Sequence, residues 1–300
     1  MRRDHRPSKV AFIGNMNNNH FAVVRILRDE GLEVDLLLTN DGFDHFHPKS
    51  DTSSLNFQTY VHQLSWGDAR SFLGTDARQI KSDLGQYGIL FGCGLAPAYC
   101  AKASRSLDVF IPYGGDIWSS TRFQLASPHL LPSVWWATYM QRKAISCCNV
   151  VQMGNDSEMY NRRIDKLCQN PSQRRWKFGV PMVYHPDYSD EKLQCLLSRT
   201  HWGHEFQNIR QNTELMLFSS VRHHWDGPKT DPSSKGTDVM LKGISQFSKK
   251  HFGVCVKLVT MEYGRDVNQS KKLISDLGME NMVQWFPTMY RKDLMAGLML

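Results

Sequence analysis

The sequence predicts an α/β protein built on parallel sheets and divided into two halves of like architecture. Short apolar runs of strand length recur, at Val10–Ile13, 32–38, 87–91, 109–112, 149–153, 215–218, 254–260 and 282–286. Most lead through a turn or loop of Gly, Asn, Pro or polar residues into a segment with apolar residues at helical spacing. That alternation builds βαβ units, whose strands run parallel under covering helices. A length of 300 residues suits about two such domains.

The first unit opens the pattern. Val10–Ile13 reads as a buried strand, and 14–19 as a turn of Gly and Asn, residues that tolerate positive φ. A helix follows from about His20, with Phe21, Val24 and Leu27 on one face, and Gly31 stops it. The turn lacks the second glycine of a dinucleotide fingerprint, so it is not read as a dinucleotide site. Residues 41–76 are polar with scattered aromatics and read as irregular loops. His45, His47 and His62 fall there without metal-ligand spacing, so no metal is expected.

Two later loops follow strands. Gly92-Cys93-Gly94 comes after the third predicted strand, and Tyr113-Gly114-Gly115-Asp116 after the next. Loops at strand C-termini are where open α/β sheets bind ligands. Glycines let backbone approach a ligand, and a carboxylate can bind hydroxyls. Cys93 has no paired base at a telling position and reads as a small buried thiol. Residues 132–145 predict a helix carrying Trp135, Trp136, Tyr139, Arg142 and Lys143. It reads first as a sheet-covering helix and second as a membrane-surface helix. Asn155, Asp156 and Ser157 should cap a helix running to Leu167, and 178–186 should hold a short strand and connector.

The stretch from Leu215 to Phe247 is the most informative. A strand delivers Arg222 to its end, and a loop of Pro, Asp and Ser follows. Lys235-Gly236 then precedes a helix with Thr237 or Asp238 expected as N-cap. Free N–H groups at a helix start and two cations make an anion site. Further on, 266–277 predicts a helix stopped by Gly278, and 290–298 begins another.

Composition narrows the partners. Lys and Arg number 36 against 29 Asp and Glu, a formal net charge of +7. The surplus suits an anionic partner. Its dispersal, with no recognition module, argues against nucleic acid. The seven cysteines are odd in number and scattered, which predicts reduced thiols and a cytoplasmic setting. The basic N-terminus is followed by an apolar run too short for a signal peptide, and no segment approaches the roughly 20 apolar residues of a membrane span. The chain is expected to be soluble, with peripheral contact to an anionic membrane face as a further expectation.

Arg222 after the first strand of the second half, then Lys235-Gly236 at the next helix, resemble the donor-diphosphate site of family 4 glycosyltransferases. Those have the GT-B fold, two Rossmann-like domains. The order of the other loops is similar too: the Gly/Asn loop, the Gly-Gly-Asp loop and the connector. The resemblance implies residues 1–185 as an acceptor-side domain, 186–212 as a linker with helical pieces, and 213–300 as a partial, incomplete donor domain. It implies a nucleotide-diphosphate sugar as donor, a glycan or lipid-linked acceptor, no bound cofactor and retention of anomeric configuration. By residue it implies diphosphate contact from Arg222, Lys235 and Gly236, and a part for Asp116 beside the transferred sugar. It further implies cleft positions at Gly14, Asn15, His20, Gly114 and Gly115, and base contact from Phe286 and Met289. Asn17 and Asn18 are lesser candidates. The family's Glu-x7-Glu segment has no counterpart after Tyr290, so the chain is expected to be a fragment of low stability and little activity. A sugar-nucleotide epimerase of the same architecture, or a non-catalytic nucleotide-binding module, are the alternative readings.

Overall fold

The computed structural model describes residues 9–40, 44–123, 127–153, 158–168, 170, 172–181, 183–225 and 235–300. The chain divides into two compact units, Met1–Tyr184 and His185–Leu300.

In unit 1 the elements run β1 (Val10–Ile13), α1 (Asn19–Asp29), β2 (Val34–Leu38), β3 (Val61–Gln63), α2 (Ala77–Leu84), β4 (Ile89–Gly92) and α3 (Ala96–Lys102). They continue through β5 (Val109–Phe110), α4 (Gly115–Trp118), α5 (Leu131–Ile145), β6 (Val150–Met153), α6 (Glu158–Leu167) and β7 (Arg174–Lys177). The seven strands form one parallel sheet in the order β3-β2-β1-β4-β5-β6-β7. The order reverses direction beside β1, the doubly wound arrangement of Rossmann-like domains. Side chains alternate between two cores, as the strand period requires. Phe12, Leu36 and Leu38 meet Phe21 and Val24 of α1 on one face. Ala11, Ile13 and Leu37 meet Trp66, Leu84 and Tyr99 on the other.

One polar residue breaks the apolar run of β2. Asp35 is 2 % exposed. Its carboxylate takes the Lys9 ammonium at 2.8 Å, the Tyr87 hydroxyl at 2.8 Å and the His62 ring at 3.3 Å. These groups lie before β1, before β4 and on β3, so one buried charge ties three strands together at the N-terminal end of the sheet. A buried carboxylate is tolerable only when paired in this way.

Unit 2 contains α7 (Leu193–Arg199), α8 (Gly203–Gln211), β8 (Leu215–Ser219), α9 (Thr237–Lys250), β9 (Val256–Met261), α10 (Val267–Asp276), β10 (Val283–Phe286) and α11 (Arg291–Leu298). Its parallel sheet has the order β10-β9-β8. Val256 and Leu258 face a cluster with Leu241 of α9 and Ile274 of α10. Val259 and Met261 face the opposite cluster, with Leu197, Phe206 and Ala296.

The structure departs from the sequence expectations in four places. Residues 186–212 are not a solvated linker: α7 and α8 bury Leu197 and Phe206 in the core of unit 2. The last strand of unit 1 is Arg174–Lys177 rather than within 178–186. The polar stretch after β2 contains a further strand, β3. The N-cap of α9 is Gly236, not Thr237 or Asp238. The cap expected at Asn155, Asp156 and Ser157 lies outside the described residues.

Candidate functional site

In unit 2 the chain leaving β8 turns through Arg222, His223, His224 and Trp225. This turn is firmly held. The buried His223 ring is hydrogen-bonded to Ser270 Oγ at 2.8 Å and to Thr260 Oγ1 at 3.2 Å. The Trp225 indole N–H donates to the same Ser270 Oγ, and the Trp225 amide to Asp266 Oδ2 at 3.0 Å. The His223 amide donates to the Tyr263 carbonyl, and the Asp266 amide to the His223 carbonyl. Gly264 makes this approach feasible. A Cβ there would fall 2.4 Å from the His223 carbonyl oxygen, and its φ is +119°. Burial holds the His223 ring below the ordinary imidazole pKa, so it sits neutral between two hydroxyls.

Lys235 joins this turn through its backbone. Its N–H donates to the His224 carbonyl at 2.7 Å. Gly236 follows with φ +64° and starts α9 without a side-chain cap. A residue with a Cβ is disfavoured in that left-handed conformation. The first-turn N–H groups of α9 therefore have no side-chain acceptor from their cap, at the partial positive end of the helix, with Asp238 in the first turn. Thr237 at the helix start is 3 % exposed, and its hydroxyl has no hydrogen-bond partner among the described residues. Arg222 and Lys235 are both exposed. Nearby ion pairs are Lys242–Asp238, Arg265–Asp266 and Lys271–Glu262, so among the described residues neither Arg222 nor Lys235 is neutralised. Residues 226–234, the Pro-, Asp- and Ser-rich loop between the two cations, lie outside the described residues.

Unit 1 carries a cavity of about 220 Å³ at the C-terminal ends of its strands. Gly14, Asn15 and Met16 line it after β1, Thr39 and Asn40 after β2, Gln63 at the end of β3, and Cys93 and Gly94 after β4. Gly14 is required where it stands: its φ is +79°, and a Cβ would meet Cys93 Sγ at 2.8 Å. The asparagines work internally. Asn15 Oδ1 accepts the Phe21 N–H at 3.0 Å and so caps α1. Asn15 Nδ2 donates to Asn18 Oδ1 and to the Phe46 carbonyl. Asn17 and Asn18 have φ of +51° and +59°, a region that Asn enters more readily than most residues. Asn18 Nδ2 reaches the His45 carbonyl and Ser50 Oγ, both at 2.9 Å.

His20 is fully buried. Its Nδ1–H donates to the Gly14 carbonyl at 2.8 Å, and Nε2 has no partner among the described residues. Its ring packs edge-on against Phe12 and Tyr113. Burial pushes its pKa down to about 4, opposed by the bond to Gly14. The neutral ring therefore fixes the turn after β1.

Asp116 also has a holding role. Its carboxylate accepts the N–H groups of Tyr113 and Gly114 at 2.9 Å and of Gly94 at 3.1 Å. One side chain thus joins the turn after β4 to the turn after β5. Burial pushes its pKa up to about 6, and the backbone N–H groups pull it back. With both oxygens engaged by backbone, Asp116 is a positioning residue rather than a group presented to a sugar. Gly114, with φ +115°, makes the same turn, and Gly115 begins α4. Gln141 of α5 ties the two turns again, donating to the Gly94 carbonyl at 2.9 Å.

Phe286 and Met289 do not stand where a base could reach them. Phe286 is 3 % exposed and Met289 8 %, and Phe286 packs against Trp202 and Phe206 in the core of unit 2. The family resemblance made them candidates, and both belong to the apolar core of unit 2.

Sequence reasoning missed His223, Trp225, Gly264, Asp266 and Ser270. The clue was the His-His-Trp run after β8, an unusual polar ending for a buried strand.

No protein-family model matches this sequence, and no curated protein matches it. Solved structures do resemble it. One is the UDP-N-acetylglucosamine 2-epimerase from Rickettsia bellii, at 12% identity, covering 95% of this chain and 70% of that one, with a TM-score of 0.45. Another is the lipopolysaccharide outer core galactosyltransferase WaaB in its apo form, at 12% identity, 93% and 68% coverage and a TM-score of 0.43. A Medicago truncatula protein complexed with UDP-glucose aligns at 10% identity, 96% and 73% coverage and a TM-score of 0.46.

Proposed function

We propose that this chain binds a nucleoside-diphosphate sugar and transfers the sugar to a glycan or lipid-linked acceptor. One observation carries the reading: Lys235 is bonded through its backbone into the Arg222–Trp225 turn, at the uncapped start of the 14-residue α9. Two cations and a row of N–H donors are what a diphosphate requires. As the bond to the sugar breaks, negative charge grows on the departing diphosphate, and these groups stabilise it. The buried Thr237 hydroxyl supplies another donor at the same helix end.

In unit 1 the 220 Å³ cavity after β1–β4 is the acceptor-side candidate. Asn40 and Gln63 form part of its wall, the Asn40 amide held by Ser65 and Asp68 and Gln63 Nε2 by the Leu38, Thr39 and Leu64 carbonyls. Gly14, Asn15 and His20 shape the turn beneath it, and Asp116 with Gly114 and Gly115 holds the neighbouring turn. Retention of anomeric configuration comes from the family 4 resemblance, and a cytoplasmic setting from the odd, scattered cysteines.

Calorimetric titration with UDP as the probe tests the donor site. Arg222→Gln and Lys235→Gln should each weaken binding roughly tenfold to a hundredfold, the scale of a charge-assisted bond. Unchanged affinity in both variants would overturn the reading. Turnover is tested by nuclear magnetic resonance of the product with UDP-sugars and glycan acceptors. A glycoside with free nucleoside diphosphate supports transfer. An isomerised donor without glycoside would replace transfer by epimerisation.

A further inference from the structure

We propose that the outward face of α5 docks the chain onto an anionic lipid surface. The helix is built inside out. Against the core it turns Ser133, Ala137, Thr138, Gln141, Ala144 and Ile145, of which only Ile145 is a large apolar side chain. Gln141 and the Ala98 amide are hydrogen-bonded there, where α5 packs along α3. To solvent it turns Trp135, Trp136 and Tyr139, which are 45%, 48% and 43% exposed. A sheet-covering helix ordinarily has the opposite distribution. Phe123, 55% exposed, adds its ring edge to Trp135 at 5.9 Å. Trp136 and Tyr139 stack at 5.3 Å, so two aromatic pairs make up the exposed plate.

Charge selects the occupant. Arg142 and Lys143 follow Tyr139 on the same exposed side, and the Lys143 ammonium lies 5.8 Å from the Tyr139 ring centre. Arg122 and Arg163 both lie over the Trp118 ring, at 5.7 Å and 5.9 Å, and the charges of Arg122 and Arg142 both act on Arg163. No Asp or Glu occurs between Asp116 and Asp156, in a chain with 29 acidic residues among 300. A face of indoles and a phenol backed by cations fits a lipid headgroup layer. Trp and Tyr settle at the level between headgroups and acyl chains, while Lys and Arg meet the phosphates. The helix lies on such a surface rather than through it, since no described helix is long and apolar enough to cross a membrane.

The test uses the full chain and needs no substrate, so it stands apart from the sugar-transfer reading. Sedimentation is measured with vesicles of phosphatidylcholine plus phosphatidylglycerol, and with phosphatidylcholine alone. Wild type should bind the mixed vesicles, and added salt should weaken the binding. Trp136→Ser with Tyr139→Ser should reduce it about tenfold or more. Arg142→Gln and Lys143→Gln should each reduce it roughly fivefold, and only on the anionic vesicles. Circular dichroism checks folding, and the charge variants carry the test if the aromatic variant does not fold. Absence of binding by folded wild type, or equal binding by folded variants, overturns the proposal. So does loss of concentration-dependent self-association in the aromatic variant with vesicle binding unchanged, which would give the plate to a second copy of the chain.

Discussion

His20 and Asp116 are both buried ionisable groups of unit 1, and their protonation drives stability in opposite directions. The folded pKa of His20, about 4, lies below its usual 6.5. As pH falls through that window the unfolded chain takes up the proton first, so stability is lost. The folded pKa of Asp116, about 6, lies above its usual 3.8. Here the folded chain takes up the proton first, so stability is gained as pH falls and lost as it rises. The two effects oppose each other between about pH 6 and pH 4. His20→Gln removes one of them. Relative to wild type, the variant should gain about 2.4 kcal/mol between pH 7 and pH 4.5 in urea unfolding. A change under about 1 kcal/mol would mean that the ring is not held neutral. At Gly264, the added methyl of Gly264→Ala would strike the His223 backbone. The variant should lose about 2 kcal/mol or more and bind UDP about tenfold more weakly, because the turn bearing Arg222 must move. Arg222, Lys235, Gly14 and Asp116 could be picked from the sequence because each sits at a strand end or helix start. The partners of His223 could not, because Thr260 and Ser270 lie 37 and 47 residues away.

Elements with a strong period were legible in the sequence, and elements defined by their neighbours were not. The opening β1–α1–β2 and the series from β8 to α11 follow their apolar spacing closely. By contrast, β3 is three residues long with two exposed, and only its parallel pairing to β2 makes it a strand. In α2 only Ile80 and Leu84 are buried, too few to announce a helix. The sequence of β7 is Arg-Arg-Trp-Lys, exposed throughout, at the edge of the seven-stranded sheet. Charges at such an edge discourage pairing with another chain. Arg174→Val with Lys177→Val leaves the Arg175–Asp165 ion pair in place. That double variant should increase self-association in light scattering at neutral pH while native circular dichroism persists. Unchanged scattering would deny β7 this protective part.

At the scale of the whole molecule, each unit has its own pair of apolar clusters. Phe206→Ala removes a side chain buried in unit 2 and should cost about 3–5 kcal/mol there. Hydrogen exchange should show lost protection in β8, β9 and β10, with β1 and β4 unchanged. Equal loss in both sheets would mean that the clusters act as one. The alternation of strands and helices indicated two α/β halves, and the first was expected to end at residue 185, next to the division after Tyr184. The Asp, Glu and Lys of 186–212 masked the buried stripe that makes α7 and α8 part of unit 2. The web around Asp35 has a broader consequence. It anchors β1, β2, β3 and β4 where those strands begin, while the turns lining the cavity lie where they finish. The fastening and the cavity therefore occupy opposite rims of the same sheet. Evolution can lengthen, trim or exchange the turns on one rim without loosening the fastening on the other.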